Sequence, residues 1–465
     1  MIGIRLASRI GQERISVYNT QRIHADKPRY GADCEISLTD AKQANGTYLG
    51  LIRNNRAFRY LWAGQVVSLT GDWFNLIASA ALIATLTQSG AAVGGLFAVR
   101  MLAPFLISPF AGVVADRYNR KTILLTADIL RCFVVLGFVL VREPEQVWLI
   151  YVLTAVQSAT QGFYFPAWNS ILPDITAPRE LGVANALASA TWSVMLAFGA
   201  ALGGLVSGIV GVYPAFVVDA ATFIVSALII LRMPYQSLLS PGADQSMMAG
   251  IRQYIDGLAY LRRHIDIFAI TLQKGLLGLL VIGLYQVVQV TISERYFPIG
   301  EGGSITLGLI YVMSGIGSGI GPILGRHWAR DRDRHLRLMI ALGYVCAIAG
   351  FLINATLASL PIILFGGFLR GIGGGLVWVL GTQLLLQIVP NEVRGRVFST
   401  EFAMYTLFAA VSSGISGALI DASLGVTGIL LLGSALLVVP TVLWCLWIAF
   451  GKRELIIVGE GAAVP

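Results

Sequence analysis

Apolar residues in this chain form continuous runs of about twenty, separated by short polar segments. A helix of about that length crosses the hydrocarbon core of a bilayer, whereas the strands of a membrane barrel alternate apolar and polar residues at every second position. The pattern therefore predicts membrane-spanning helices. Twelve are predicted, in two sets of six: 58–86, 91–112, 122–142, 147–171, 183–210 and 213–232, then 267–293, 305–324, 336–356, 360–389, 397–421 and 427–450.

Polar segments divide the chain into five regions. The predicted regions are a polar tail over 1–57, a six-helix bundle over 58–232, a linker over 233–266, a second bundle over 267–451, and a short tail over 452–465. In the linker, Ile251, Ile255, Leu258 and Leu261 share one face of a helix. This amphipathic helix is expected either to lie in the membrane interface or to pack beneath the bundle as a soluble helix.

Composition and charge support a membrane protein and give it an orientation. Hydrophobic residues make up 56% of the chain and charged residues 12%, which is too little charge to cover a water-facing surface. When loops are assigned alternately to two sides, only Arg142 and Arg295 fall on one side, and the other loops and both tails are basic. Because cytoplasmic loops carry the excess of Lys and Arg, both termini are expected in the cytoplasm of a cell-membrane protein.

The two sets of spans repeat each other. Gly325, which opens a basic loop, follows Gly112 by 213 residues, and Pro390, at the end of a span, follows Pro173 by 217 residues. Near-equal offsets predict an internal repeat of six helices, related by an axis along the membrane normal. The predicted fold is thus an all-α membrane protein with two pseudo-symmetric six-helix bundles around a central cavity.

The loop after the second span carries a recognisable motif. Gly112, Ala115, Asp116, Arg117, Arg120 and Lys121 match the pattern G-x-L-a-D-r-x-G-r-k of the major facilitator superfamily, with Asn119 in place of the second Gly. The chain resembles that family over 58–450. Four segments look like its bacterial branch of drug, macrolide and siderophore exporters: 58–73, 165–175, 181–187 and 389–399.

The resemblance implies a conformational latch in this loop. Asp116 would be the switch acid and Arg117 its partner, while Arg120 and Lys121 would be cytoplasmic anchors. Asn119 would tolerate the left-handed backbone that glycine normally supplies. The alternative is that these charges only set the topology.

Two departures from the family pattern count against proton antiport without deciding the matter. Family antiporters often carry G-P-x-x-G-G in the fifth span, where this chain has Ala200 in place of the Pro. They also often carry an Arg in the fourth span, whose place is taken by Ser158. The equivalent position of the second half is Arg370.

Charged residues within the spans are the sharpest candidates for function, because each costs about 2.5 to 3.5 kcal/mol to insert into a membrane. Asp72, Arg100 and Asp219 lie at similar depths in the first half, and we expect them to form one buried cluster that binds and releases a proton. The alternative is an inert ion pair that locks the helices together.

Five other residues within the spans have different predicted roles. Asp128 and Arg131 are three residues apart on one helix and are expected to form a structural pair. Arg370 has no acid nearby on its own helix and is predicted to bind substrate or to gate. Lys274 and Glu401 lie near the cytoplasmic edge, where snorkelling or helix capping would explain them.

Amide and aromatic residues predict the lining of the cavity, a surface that suits an amphipathic organic molecule. The predicted lining is Gln157, Gln161, Phe163, Tyr164, Tyr285, Gln286, Gln289, Trp378 and Gln383. The sequence has no Walker loop, metal-ligand spacing or catalytic triad. No enzymatic activity, metal, cofactor or nucleic-acid partner is therefore expected.

The predicted function is secondary transport by alternating access. We expect a monomer that exports an amphipathic small molecule in exchange for protons. A transporter of lysophospholipids or similar lipids, and a membrane sensor or scaffold that transports nothing, are the alternatives.

Overall fold

The computed structural model describes residues 48–177, 180–236, 247–329 and 332–451, and the regular structure within these ranges is helical. Each predicted span is helical, with ends that lie within six residues of the prediction. The first half contains α1 Tyr48–Asn54, α2 Arg56–Thr87, α3 Gly90–Arg117, α4 Arg120–Gly137, α5 Val147–Ile175, α6 Leu181–Leu205 and α7 Val212–Leu231. The remainder contains α8 Met247–Arg263, α9 Ile265–Leu277, α10 Gly283–Thr291, α11 Ser304–Ala329, α12 Asp333–Ala355, α13 Leu360–Ile388, α14 Asn391–Leu419 and α15 Gly425–Phe450.

Eleven helical segments in the described residues are long and apolar enough to cross a membrane. One of them, Ile265–Tyr296, joins α9 and α10 through the π-helical turn Gly278–Ile282. The remaining predicted span is α5, whose Gln157, Ser158 and Gln161 make it less apolar than the others. α5 nevertheless packs lengthwise against α3 and α4.

Helices of the first half contact mainly one another, as do those of the second half. In the first half, α2 packs against α7 and α6, and α3 packs against α5. In the second half, α13 packs against both α11 and α12, and α14 packs against α9 and α10. The two sets meet chiefly through two pairs of helices, α3 with α14 and α6 with α11.

Glycine permits the backbones of these cross-pairs to touch. A Cβ atom added to Gly94 would lie 2.5 Å from the carbonyl oxygen of Ser413, and one added to Gly417 would lie 2.3 Å from that of Gly90. On the second pair, a Cβ atom at Gly204 would lie 3.0 Å from the Cα of Gly308. Small residues of this kind let helices associate closely in lipid.

The two ends of the molecule differ in how the halves meet. We call the end that carries α1 and the basic loops the basic end, and the other the opposite end. The glycine contacts of α3 with α14 lie toward the opposite end. Near the basic end, by contrast, a Cβ atom added to Gly112, Gly182, Gly319 or Gly395 would meet no atom within 4 Å. The glycines of the cross-paired helices therefore touch the partner backbone at the opposite end, whereas these four near the basic end have no close neighbour.

An aspartate fastens the opposite end. Asp421, just after α14, accepts hydrogen bonds from the Ser89 hydroxyl at 2.7 Å and from the backbone N–H groups of Gly90 and Ala91 at 2.8 Å each. It thereby caps the first turn of α3 from the other half of the molecule. A carboxylate is favoured there because a helix N-terminus carries unsatisfied N–H groups and a partial positive charge. Arg295 also donates to the carbonyl of Gln88 at this end.

Two further segments lie outside the predicted spans. Residues Tyr48–Asn54 form a short helix with Leu51 buried, so the polar tail predicted over 1–57 is structured at its end. The remaining tail residues, 1–47, lie outside the described residues, as do 452–465. The predicted linker helix exists as α8, and it contacts α14 and α3 at the basic end. Leu261 on its apolar face is buried, whereas Ile255 and Leu258 are exposed.

We expect Asp421→Asn to loosen the opposite end, because a neutral amide is a weaker cap for the N-terminus of α3. Loss of such a cap costs about 0.5 to 2 kcal/mol. Spin labels on the exposed residues Glu143 and Ala358, one in each half, would report the distance between the halves at this end by electron–electron double resonance. The variant should populate longer distances than the parent. Glu145→Gln, an exposed change at the same end, is the control, and an unchanged distance distribution in Asp421→Asn would contradict the expectation.

Candidate functional site

Arg131 on α4 is the centre of a buried charge cluster in the first half. Its guanidinium lies 2.5 Å from Asp128 and 3.7 Å from Asp72 on α2. Ser226 on α7 donates to the second oxygen of Asp128 at 2.7 Å. The guanidinium also lies between two rings, 4.6 Å from the centroid of Tyr164 and 4.4 Å from that of Phe223. One arginine thus connects α2, α4, α5 and α7.

The sequence predicted two separate groups where the structure has one. Asp72, Arg100 and Asp219 are brought within electrostatic range of one another, but among the described residues it is Arg131 that lies within 4.0 Å of Asp72. Asp128 and Arg131 pair as their spacing suggests, and that pair belongs to the same cluster. The prediction did not place Arg131 in the cluster of Asp72, since spacing along α4 gave no sign that Arg131 reaches another helix.

Asp219 is the least satisfied member of this cluster. Its side chain is fully buried, and Oδ2 has no hydrogen-bond partner among the described residues. Oδ1 lies 3.5 Å from the Thr222 hydroxyl. A Cβ atom added to Gly71 would lie 2.3 Å from the same Oδ1, so α2 supplies a glycine where α7 presents this carboxyl.

The predicted polar residues of α5 lie beside the cluster. Gln161 donates to Asp72 at 3.4 Å. Gln157 is buried, and neither its amide nitrogen nor its amide oxygen has a hydrogen-bond partner within the described chain. The buried hydroxyl of Tyr164 also has no hydrogen-bond partner there. Unsatisfied buried groups of this kind are costly unless water or a ligand meets them.

Arg370 is the corresponding cation of the second half. It lies on α13, is 7% exposed, and donates to the Ser314 hydroxyl on α11 at 2.7 Å. Its guanidinium carbon lies 4.0 Å from the ring centroid of Tyr285, whose hydroxyl accepts from Asn354 at 2.6 Å. The described groups that interact with its charge are tyrosines rather than carboxylates. Its Nε has no hydrogen-bond partner there.

Lys274 and Glu401 form a buried ion pair, which corrects the prediction that they snorkel or cap helices. Nζ of Lys274 on α9 lies 2.8 Å from Oε2 of Glu401 on α14 and 2.7 Å from the Thr382 hydroxyl on α13. The indole of Trp378 covers the ammonium at 4.6 Å. The two residues are 127 positions apart, so no helical spacing could have revealed the contact.

A second buried pair was absent from the sequence prediction. Arg337 on α12 binds both oxygens of Asp266 at 2.6 and 2.7 Å and also reaches Asp333. The Trp447 indole donates to Asp266 at 2.9 Å. The only available signal was that an arginine one turn inside a span needs an acid, and Asp266 had been placed in the linker.

The loop of the family motif is held to the neighbouring helices through Arg120 and Lys121. Arg120 binds Asp174 on α5 at 2.7 Å, and Lys121 donates to the carbonyls of Leu231, the last residue of α7, and Met233. Asp116 is exposed, and its distance to Arg120 is 4.0 Å. Asp174 also accepts from the Tyr235 hydroxyl at 2.7 Å, and burial together with this hydrogen bond raises the pKa of Tyr235.

The backbone at Asn119 also differs from expectation. Its φ of −57° is not left-handed, so tolerance of that conformation does not explain the residue. The Asn119 side chain instead accepts from the backbone N–H groups of Lys121 and Thr122. It is the N-cap of α4, a position that asparagine favours.

Comparison with known proteins identifies the family. The family model described as Major Facilitator Superfamily matches residues 61–353. The chain is 27% identical to the uncharacterized MFS-type transporter YfiS of Bacillus subtilis, over 80% of this chain and 88% of that protein. It is 26% identical to the putative bacilysin exporter BacE of Bacillus amyloliquefaciens, over 81% and 92%. It is 23% identical to macrolide efflux protein A of Streptococcus pyogenes, over 82% and 93%.

Solved structures share the fold at lower sequence identity. The crystal structure of the nucleoside transporter NupG superimposes with a TM-score of 0.68 at 14% identity, covering 85% of this chain and all of that one. A bacterial homologue of the human lysosomal transporter Spinster, in an inward-facing and unoccupied conformation, gives a TM-score of 0.60 at 16% identity over 85% and 95%. With its helical spans, its loop motif and these matches, the chain belongs to the Major Facilitator Superfamily of membrane transporters.

Proposed function

We propose that this protein is a proton-coupled exporter of amphipathic small molecules that works by alternating access. Its spans would be twelve, with α5 as the crossing of lowest hydropathy, in bundles covering 58–232 and 267–451. The concentration of helix contacts within each half and the two cross-pairs between them support this arrangement. The names of BacE and macrolide efflux protein A support export as the direction.

The conformation described above would be inward-facing. Basic loops favour the cytoplasmic side of a membrane, so the basic end, where four glycines of the cross-paired helices have no close neighbour, would lie in the cytoplasm. The opposite end, closed by glycine contacts and by Asp421, would then face outward. A substrate would enter from the cytoplasm and leave after the halves rock.

The observation that supports proton coupling is that buried carboxyl groups outnumber the buried cations beside them in the first half. Asp72, Asp128 and Asp219 face two cations, Arg100 and Arg131. A third buried negative charge has no cation of its own, and an uncompensated charge in a low-dielectric interior is unfavourable. Asp219 has an unpaired carboxyl oxygen, and a proton bound there would neutralise the uncompensated charge. Opening of the site to one side and then the other would move the proton across the membrane.

The substrate would bind where the aromatic and amide groups of both halves converge. Trp73 on α2 and Tyr311 on α11 meet across the two halves, with ring centroids 5.3 Å apart. Arg370, Tyr285 and Trp378 line the second half of this region. Such a mixture suits an organic molecule with an apolar body and a few polar groups.

Transport by purified protein in lipid vesicles tests the proposal. An imposed pH gradient should drive uptake of bacilysin or a macrolide into inverted vesicles, and either substrate should dissipate the gradient as reported by an internal pH dye. Lipid movement that ignores the gradient would favour a lipid transporter instead. Absence of any flux, together with a bound partner protein, would favour the sensor or scaffold.

Replacement of Asp219 by Asn should abolish transport driven by the pH gradient while leaving substrate binding intact, because the amide cannot release a proton. Asp72→Asn tests the neighbouring acid. Asp128→Asn is the structural comparison, since it breaks the closest pair of Arg131 and should destabilise the protein by about 3 to 5 kcal/mol. Proton coupling through this cluster is ruled out if Asp72→Asn and Asp219→Asn both retain full gradient-driven transport.

The anchored loop generates a second prediction. Asp174→Asn should weaken the hold on Arg120 by about 1.5 to 3 kcal/mol, because it removes the charged acceptor of a 2.7 Å contact. Asp116→Asn, four residues from Arg120 and exposed, should change the thermal midpoint less. Thermal unfolding of the two variants in detergent distinguishes them. An equal loss for both, or a larger loss for Asp116→Asn, would show that Asp174 is not the main acid that holds the loop.

A further inference from the structure

One face of α13 combines polar residues with open space beside two glycines, and we call the space along this face the groove. Arg370, Gly374, Trp378, Gly381 and Thr382 project within about 120° of one another at 100° per residue. A Cβ atom added to Gly381 would meet no atom within 4 Å although the residue is buried, and at Gly374 the single neighbour lies 3.9 Å away. The two glycines therefore leave free space beside the helix between the charged ends of this face.

Aromatic rings form the side of the groove. Trp378 and Tyr405 pack edge to face with centroids 5.0 Å apart, and Phe402 lies next to Tyr405 at 6.3 Å. Trp378 is 37% exposed and Phe402 is 44% exposed, so these rings present open faces. The middle of the groove is thus apolar.

Each end of the groove holds a buried polar atom without a partner among the described residues, and the two atoms are of opposite character. Nε of Arg370 is an unused donor on a cation. At the other end, Oε1 of Glu401 is an unused acceptor on a carboxylate, whose Oε2 already binds Lys274. The Lys274 ammonium donates hydrogen bonds to Glu401 and Thr382 and lies over the ring of Trp378.

These two ends are complementary to a single kind of ligand. A ligand carboxylate or similar acid would accept from Arg370, and a ligand amine would donate to Glu401, and both contacts are charge-assisted. The helix rises about 18 Å from Arg370 to Thr382, and the side chains cover part of that length. The two ligand groups would therefore be separated by roughly 10 Å.

We propose that this groove binds an elongated zwitterion, with an acid at Arg370, an amine at Glu401 and an apolar chain against Trp378 and Tyr405. This assignment rests on the proposed transport function and specifies its substrate class. Trp378, which covers Lys274, would move aside to admit the amine. Free acids and free amines of the same length would each satisfy one end and leave the other unpaired.

Equilibrium dialysis of the full-length protein with labelled 8-aminooctanoic acid tests the proposal. We expect it to bind at least about tenfold more tightly than 4-aminobutanoic acid, octanoate or octylamine. Glu401→Gln should reduce its affinity to that of octanoate, and Arg370→Gln should reduce it to that of octylamine. Equal binding of the amino acid and either single-ended analogue would overturn the proposal.

Two further variants distinguish loss of ligand binding from loss of the fold. Glu401→Gln leaves Lys274 buried without its acid, so the double variant Lys274→Gln/Glu401→Gln removes both charges and should give the same result for the amine. Gly381→Leu fills the free space without a change of charge and should lower binding of 8-aminooctanoic acid about tenfold. Gly395→Leu, at a glycine with equally open surroundings outside the groove, is its matched control and should bind normally. Normal binding by Gly381→Leu would contradict the site.

Failure of the substrate assignment and failure of the transport function give different results. If a macrolide or bacilysin dissipates the pH gradient but 8-aminooctanoic acid binds no better than its analogues, export stands and the zwitterion site is wrong. If the amino acid binds as expected and no compound is transported, the site stands and the proton-coupled export is wrong.

Discussion

Ionised side chains inside a bundle that lipid surrounds must be compensated, and this constraint determines which helices are neighbours. Arg131 ties α4 to α2 through Asp72 and holds Asp128 against Ser226 of α7. Lys274 ties α9 to α13 and α14. Arg337 ties α12 to the start of α9. Each of these networks lies within one half of the molecule, and removal of either partner would leave a buried charge at a cost of about 3 to 5 kcal/mol. The charges therefore hold each half together as a unit.

Contacts between the halves are of a different kind. Backbone approach at Gly94, Gly204 and Gly308 gives van der Waals contact without deep interdigitation of large side chains. The polar links across the halves, Asp421 on the first turn of α3 and Arg295 on Gln88, involve partly exposed groups near the end of the molecule. Water can replace such hydrogen bonds at little net cost, whereas it cannot replace those of Arg131. Strong bonds within halves and separable contacts between them are what rocking of two rigid bodies requires.

Much of this architecture follows from the sequence because span length is fixed by the bilayer and loop charge by topology. The Asp128–Arg131 contact could be predicted as well, since both residues lie on one helix at a known spacing. Partners on different helices could not be predicted, because the rotation of each helix about its axis is set by packing. For that reason Arg131 was paired with Asp128 alone, and Lys274 and Glu401 were treated as separate edge residues. The family motif likewise names residue types but not their partners on other helices, so Asp174 was not expected as the acid that holds Arg120.

The two halves carry opposite imbalances of buried charge, and these imbalances bear on how proton and substrate exchange would be coupled. The first half has three carboxyls for two cations, and the second has Arg370 without a carboxylate among its described neighbours. On the proposals above, the proton binds in the first half and the acidic end of the substrate binds in the second. Proton and substrate would then not compete for one atom. Coupling would have to pass through helices that belong to a site and also lie at the interface between the halves. In the first half this helix is α2, where Trp73 follows Asp72. In the second half it is α11, where Tyr311 lies near both Arg100 and Arg370. The Trp73–Tyr311 contact is therefore the place where occupancy of one half can alter the other.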